Sequence, residues 1–348
     1  MSSIPPPSQQ PSREPFNGNG GEALRPHEAP WIYPPLHGCL YLTGPTGSGK
    51  TPLAMELARQ LDAEIISLDS MAIYRGMDIG TAKPTAEMRA EVPHHLLDIV
   101  EPTDEFSVSA YVVAAHRAAH EIRQRGRRVL LCGGTPLYLK SLLRGLFLGP
   151  PADWEFRHAV EEDIQRYGEE ALMARLAQVD PLLAHKLHPH DHRRIIRALE
   201  VARATGRPLS HWQQQFDQPA SPTAAPVVRL VLDRQWLHER INTRVQHMID
   251  AGLVEEVRGL IDRYGRLGRT ASQAVGYREL IDALQSGEPL EETMERIRAH
   301  TRQFARRQEI WFRSLHELQP VVVAPDRSPR QILDDILNVF RHAKGPTH

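Results

Sequence analysis

Residues 44–51 read Gly-Pro-Thr-Gly-Ser-Gly-Lys-Thr, a match to G-x-x-x-x-G-K-[ST]. What flanks the match is what constrains the fold. An apolar run, HGCLYLTG, ends in Gly44, and a helical pattern follows through Leu61. In a strand–loop–helix unit of this kind, glycines let backbone N–H groups close around phosphate oxygens, and the helix N-terminus adds positive potential. Gly44, Pro45, Thr46, Gly47, Ser48 and Gly49 then form the cradle, Lys50 supplies a point charge, and Thr51 supplies a hydroxyl for Mg²⁺. The competing explanation is a glycine-rich turn that merely starts a helix, but here pattern and context are both satisfied. A diphosphate or triphosphate ligand follows; which one is left open.

The rest of the chain supplies a sheet for this loop. EIISLDS reads as a second strand and VLLCGG (129–134) as a third, with a long helix between them that starts at Ser107 as N-cap and closes at Gly126. Strand and helix in alternation argue a parallel sheet with crossover helices. From Pro150 to about Phe216 the strand patterns stop. One helix opens at Asp180-Pro181 and another runs from Asp191 to Gly206; the loop DQPASPTAAP ends the stretch, and VVRLVLD (227–233) returns to the sheet. The expected architecture is α/β, a P-loop NTPase-like parallel core with an inserted all-helical domain. The core is split into 38–149 and 227–325 around the insertion at 150–226, and a C-terminal helix (328–342) and tail fill 326–348. Residues 1–37, rich in Pro, Ser, Asn and Gly, read as a disordered tail without the basic start and apolar centre of a signal peptide.

Composition agrees and excludes some classes. At about 150 residues per domain, 348 residues suit roughly two domains, and 41% hydrophobic content is that of a globular chain. No run approaches the roughly 18 apolar residues of a membrane span. Cys39 and Cys132 cannot make a disulfide scaffold or a four-thiolate zinc site, and both sit in apolar runs as expected of reduced residues in the cytoplasm. Net charge is −1 and says nothing about nucleic acid, but only five of the 42 basic residues are lysine. Arginine is the better phosphate fork.

Asp69 ends the second strand. Ligands of open α/β sheets bind at the carboxyl ends of strands, so Asp69 should face the same crevice as the loop. A carboxylate there can hold Mg²⁺ through water or take a proton from a nucleophile. It can equally cap the following turn, which an Asp-Ser pair does well. Loop and acid alone would suit a kinase of a small metabolite.

Longer stretches narrow the choice. ISLDSMAIYRGMDIGTAKP, PHHLLDIVEP, LLCGGTPLYLKSLLRGL, HPHDHRRIIRALEV, ASQAVGYREL and TRQFARRQEIWFR, in this order from about residue 38 to about 316, resemble the tRNA dimethylallyltransferases (tRNA isopentenyltransferases). The Pro-rich tail and last helix lie outside the resemblance, and Pro52 is a small departure, tolerable in the first turn of a helix. The resemblance implies Mg²⁺-dependent transfer of the dimethylallyl group from dimethylallyl diphosphate to N6 of adenosine 37 in the tRNA anticodon stem-loop. Diphosphate is released. Lys50, Thr51 and Mg²⁺ would stabilise the leaving diphosphate, and Asp69 would remove the amine proton.

Further roles follow from the resemblance position by position. Arg240 and Arg244 lie four apart on one helical face; the bland alternative is a solvated face with Glu239 as partner, but the family places the second arginine toward the diphosphate. Asp69, Ser70, Met71 and Ala72 match the stretch that meets the target base. Thr135, Arg157, the run Arg193-Arg194-Ile195-Ile196-Arg197 and the run Gln273-Ala274-Val275-Gly276-Tyr277-Arg278 match tRNA-contact positions. Arg193, Arg194 and Arg197 are expected on nearly one face, and Arg298, Arg302 and Arg306 form an i, i+4, i+8 stripe that as a bare charge run would be a solvated face. His185, His188, His190 and His192 straddle a Pro-containing break without a fixed pair that closes a tetrahedral set, so no zinc is expected there. Trp212, Trp236 and Trp311 read as packing. We expect a monomer that does not bind membranes. Three alternatives stay open: a metabolite kinase, a prenyltransferase of free adenine nucleotides, and a tRNA-binding protein with a vestigial loop.

Overall fold

The computed structural model describes residues 32–218 and 226–342. A two-residue strand, β1 (Ile32–Tyr33), precedes β2 (Leu40–Thr43), the P-loop and α1 (Lys50–Leu61). Then come β3 (Ala63–Ser67), α2 (Ala86–Glu91), β4 (His94–His95), α3 (Val108–Gln124), β5 (Arg128–Gly133), α4 (Pro136–Arg144) and β6 (Leu146–Phe147). Helices alone fill the next stretch: α5 (Trp154–Val179), α6 (Pro181–Lys186), α7 (His192–Thr205), α8 (Leu209–Trp212) and α9 (Gln214–Asp217). The chain returns through β7 (Val227–Val231), α10 (Arg234–Asp250), α11 (Leu253–Tyr264), α12 (Tyr277–Ser286), α13 (Leu290–Arg313), β8 (Leu318–Val322) and α14 (Pro329–His342).

Six strands form one parallel sheet in the order β4-β3-β5-β2-β7-β8. Alternation sends successive side chains to opposite faces. Leu42, Ile65, Leu130 and Leu230 enter one core with α1, α10 and α14, whereas Tyr41, Ile66, Leu131 and Val227 enter the other with α3 and α4. With helices on both faces the inner strands β2, β3, β5 and β7 are largely buried, which is why they read as apolar runs, whereas the edge strands β4 and β8 do not. The helix starts read from sequence are in place: Ser107, Asp180 and Asp191 precede α3, α6 and α7, and the Ser107 and Asp180 side chains accept from the amides of Ala110 and Leu183, whereas the Asp191 side chain makes no capping bond.

One reading is corrected, and the structure adds two features. Residues 32–37 are not the end of a disordered tail, because β1 pairs antiparallel with β6 and Leu36 is buried. Strand β8 was not anticipated, and α14 is no appendage: Ile332, Leu333, Ile336 and Leu337 pack in the same core as Leu53 and Leu57 of α1. Residues 1–31 and most of the DQPASPTAAP loop lie outside the described residues. Helices α5 to α8 share their own buried cluster around Leu176, Ile195 and Leu199.

Candidate active site

The P-loop joins the carboxyl end of β2 to α1. Gly49, the residue before α1, has φ 86°, a left-handed conformation that glycine adopts without strain and that turns the backbone into the helix. Pro52 sits in the first turn, where its missing N–H has no intrahelical acceptor to lose. Lys50 Nζ lies 2.9 Å from the Gly44 carbonyl and 2.8 Å from that of Pro45. Burial lowers its pKa to about 8, an effect that Arg244 adds to and Asp69 opposes.

Asp69 follows β3 beside this loop. Its Oδ1 accepts from the amides of Met71 (2.8 Å) and Ala72 (3.2 Å), so the capping role read from the sequence is present. Neither bond uses Oδ2, and Asp69 also lines a cavity of about 680 Å³ with Thr46, Gly47, Gly49, Lys50 and Thr51. That volume is in the range of small-molecule sites. Gly133 lets the strands approach: a Cβ there would lie 2.2 Å from the Leu68 carbonyl oxygen. Just beyond it, Thr135 Oγ1 accepts from the Ser70 amide at 3.1 Å, so two of the expected tRNA-contact positions are joined beside Asp69.

The arginine pair divides in two. Arg244 lines the cavity; desolvation lowers its pKa while the Asp69 carboxylate pushes the other way. Arg240 lines the cavity too, but donates from Nε to the Gly47 carbonyl at 2.8 Å and stacks over Trp236, 5.0 Å from the ring centroid. It braces the P-loop, and Glu239 is not its partner among the described contacts. Trp236, given no role in the sequence, supports that brace and lines the cavity.

The expected tRNA positions divide by burial. Arg193 and Arg194 are exposed at the start of α7, but Ile195 and Ile196 are buried in the helical cluster, which removes their side chains from any surface that RNA could meet. Arg197 is no third member of an exposed face. It donates to Glu200, which is 2% exposed, and to the Pro150 carbonyl (3.0 Å). Arg157 makes a two-pronged pair with the same Glu200 at 2.8 and 2.9 Å. In 273–278 only Gln273 is exposed, with Val275 and Arg278 intermediate; Ala274, Gly276 and Tyr277 are buried, like Ala72. Tyr277 packs on Gly80, and its hydroxyl donates to Glu256, whose carboxylate also accepts from the amides of Asp78, Ile79 and Gly80. Arg298 and Arg302 are engaged by Gln246 and Asn242 of α10, leaving Arg306 exposed. His190 and His192 both pair with Glu169, a carboxylate of α5 more than 20 residues earlier in the chain.

Two further cavity residues escaped the sequence. Lys83 is buried between Asp78 and Asp98 at 2.7 and 2.5 Å. Gln308 is an amide on the buried side of α13; a polar residue in register with Ala305 and Phe312 was the available signal.

The profile of the IPP transferase family matches residues 72–315, more than half of the chain. The chain belongs to the IPP transferase family. Among relatives, the tRNA dimethylallyltransferase of Rhodopirellula baltica is 52% identical over 288 residues, 80% of this chain and 86% of its own. That of Methylibium petroleiphilum is 46% identical over 312 residues, 85% and 94% of the two chains. The crystal structure of the Bacillus halodurans tRNA isopentenylpyrophosphate transferase superposes with a TM-score of 0.63 at 36% identity, covering 88% of this chain and 98% of that one. A eukaryotic dimethylallyltransferase crystallised acting on tRNA shares the fold, with a TM-score of 0.71 at 23% identity over 86% and 79% of the chains. Among the described residues no helix is long and apolar enough to cross a membrane.

Proposed function

We propose that this chain transfers the dimethylallyl group of dimethylallyl diphosphate to N6 of adenosine 37 in a tRNA anticodon stem-loop, as a cytoplasmic monomer. The observation that carries the reading is one cavity, in a member of the IPP transferase family, that gathers Lys50, Arg244 and Asp69. The N6 lone pair attacks C1 of the dimethylallyl group, the C1–O bond breaks, and its electrons leave with diphosphate. Lys50, Arg244 and the P-loop amides meet the charge that grows on that leaving group. Asp69 takes the proton that N6 loses, through the oxygen not engaged in capping. Adenine must leave the anticodon stack to reach the cavity, at a cost of a few kcal/mol that contacts elsewhere on the tRNA offset.

Mg²⁺ is the cofactor of this reading. The hydroxyls of Thr51 and Ser67 and the carboxylate of Asp69 line the cavity together, a set of hard oxygen donors that suits a hard cation. When bound, Mg²⁺ adds charge stabilisation to the diphosphate.

The test is incubation with labelled dimethylallyl diphosphate and total tRNA, AMP or ATP. Label in tRNA alone supports the reading. Label in AMP or ATP points to a free-nucleotide prenyltransferase, and phosphoryl transfer from ATP without prenyl transfer points to a kinase.

A further inference from the structure

Gln308 is an amide set into the apolar side of α13, with Ala305 and Phe312 on the same side, and only 4% exposed. A buried amide is tolerated only where its donor and acceptor both find partners. Here Oε1 accepts from the Thr46 amide at 2.9 Å, and Nε2 donates to the Gly134 carbonyl at 2.6 Å. The orientation is fixed by chemistry, because a backbone N–H only donates and a carbonyl only accepts; a flipped amide would lose both bonds. Thr46 is in the P-loop, and Gly134 follows β5, next to the Thr135–Ser70 bond at the Asp69 side of the cavity. A Cβ on Gly134 would lie 2.8 Å from Gln308 Nε2 and 3.7 Å from Lys50 Nζ, so a side chain at 134 would press on both.

We propose that Gln308 is a positioning residue that sets the spacing between the diphosphate loop and the strand end that supports the target base. It acts with Arg240, which holds Gly47 from α10 while Gln308 holds Thr46 from α13. The two helices are themselves tied by Arg302 to Asn242 and Arg298 to Gln246, so the loop sits in a frame made by the basic helices. In this frame the Thr46 N–H is a structural donor, and the phosphate donors are the amides that follow it. The proposal rests on the prenyl-transfer reading for its assay, but not for its geometry.

The experiment compares Gln308→Met, which keeps length and bulk but removes both bonds, with Phe312→Leu, one turn further along the same buried side and outside the cavity. The readouts are KM for dimethylallyl diphosphate, KM for tRNA, single-turnover rate, thermal midpoint, and calorimetric affinity for inorganic diphosphate with Mg²⁺. For Gln308→Met the expected result is at least a tenfold rise in KM for dimethylallyl diphosphate, a matching loss of diphosphate affinity, and KM for tRNA within twofold. Phe312→Leu should lower the midpoint and leave both constants in place. Unchanged diphosphate affinity in Gln308→Met, or equal effects of the two variants, would overturn the proposal. If wild type binds diphosphate but transfers no prenyl group, the enzymatic reading fails while the affinity comparison still decides Gln308. If Gln308→Met does not fold, hydrogen exchange of the wild-type Thr46 amide decides: protection to the level of β2 supports the bond, and exchange at the rate of an exposed loop refutes it.

Discussion

Arg197→Ala and the pair Arg193→Ala/Arg194→Ala should fail in different ways, although all three arginines lie within five residues. Glu200 is 2% exposed and takes four donors: the Asp153 amide, Nε and a terminal nitrogen of Arg157, and a terminal nitrogen of Arg197. Removing one partner of a buried ion pair costs about 3–5 kcal/mol when the charge is left alone. Glu200 keeps Arg157, and the Arg197 side chain is 28% exposed, so about 2 kcal/mol is the expected loss for Arg197→Ala. Arg193 and Arg194 are exposed, and Arg194 has only a 3.4 Å surface pair with Asp191, so their removal should shift stability by no more than about 0.5 kcal/mol. Their effect belongs on RNA. Each lost phosphate contact flattens the slope of log K against log salt by about 0.7–0.9, so the double variant should lose about 1.5. The assay pairs urea denaturation with binding of an anticodon stem-loop at three salt concentrations. If Arg197→Ala flattened the slope as much as the double variant and left stability intact, the assignment of Arg197 to the Glu200 cluster would be wrong.

Other outcomes follow from the same geometry. Lys50→Ala removes the cation nearest the P-loop carbonyls, so turnover should fall by orders of magnitude with stem-loop binding retained; near-normal turnover would take the diphosphate out of this loop. Because the protonated Lys50 is the form that attracts the anion and its pKa is about 8, kcat/KM for dimethylallyl diphosphate should be level below that pH and fall above it. Lys50→Arg should move that limb out of range, and a profile flat to about pH 9.5 in wild type would contradict the assignment. Glu256→Ala strips the acceptor from three loop amides and Tyr277, so residues 77–83 should become sensitive to limited proteolysis while β2 and α1 resist; an unchanged cleavage pattern would show that Glu256 does not hold the loop.

Local chemistry made the legible parts legible. The P-loop has a fixed spacing, and Ser107, Asp180 and Asp191 are short polar residues before apolar-periodic runs, so the helices they start could be read directly. Strand β8 could not be, because LQPVV carries Pro320; it is tolerated there because β8 lies at the sheet edge, where a ladder donor can be spared. The two residues of β1 are held by pairing with β6 and by Tyr33 packing edge-on to His116, both far along the chain. The resemblance marks the whole run Arg193–Arg197 as a contact segment, although Ile195 and Ile196 are buried, and nothing local revealed that Arg197 and Arg157 converge on Glu200. Gln308 shows the same limit, since its partners Thr46 and Gly134 lie 262 and 174 residues away in the sequence.

Whether Asp69 does chemistry or only caps a turn is the point on which the mechanism stands. Asp69→Asn keeps an oxygen for the Met71 and Ala72 amides and for a cation, so the turn should persist, while the negative charge that accepts the proton is removed. The measurement is single-turnover transfer of labelled dimethylallyl to an anticodon stem-loop, with both substrates saturating, in wild type and Asp69→Asn. The expected result is a rate lower by about 10²–10⁴-fold with unchanged affinity for both substrates. An unchanged rate would contradict the account and leave Asp69 as a cap.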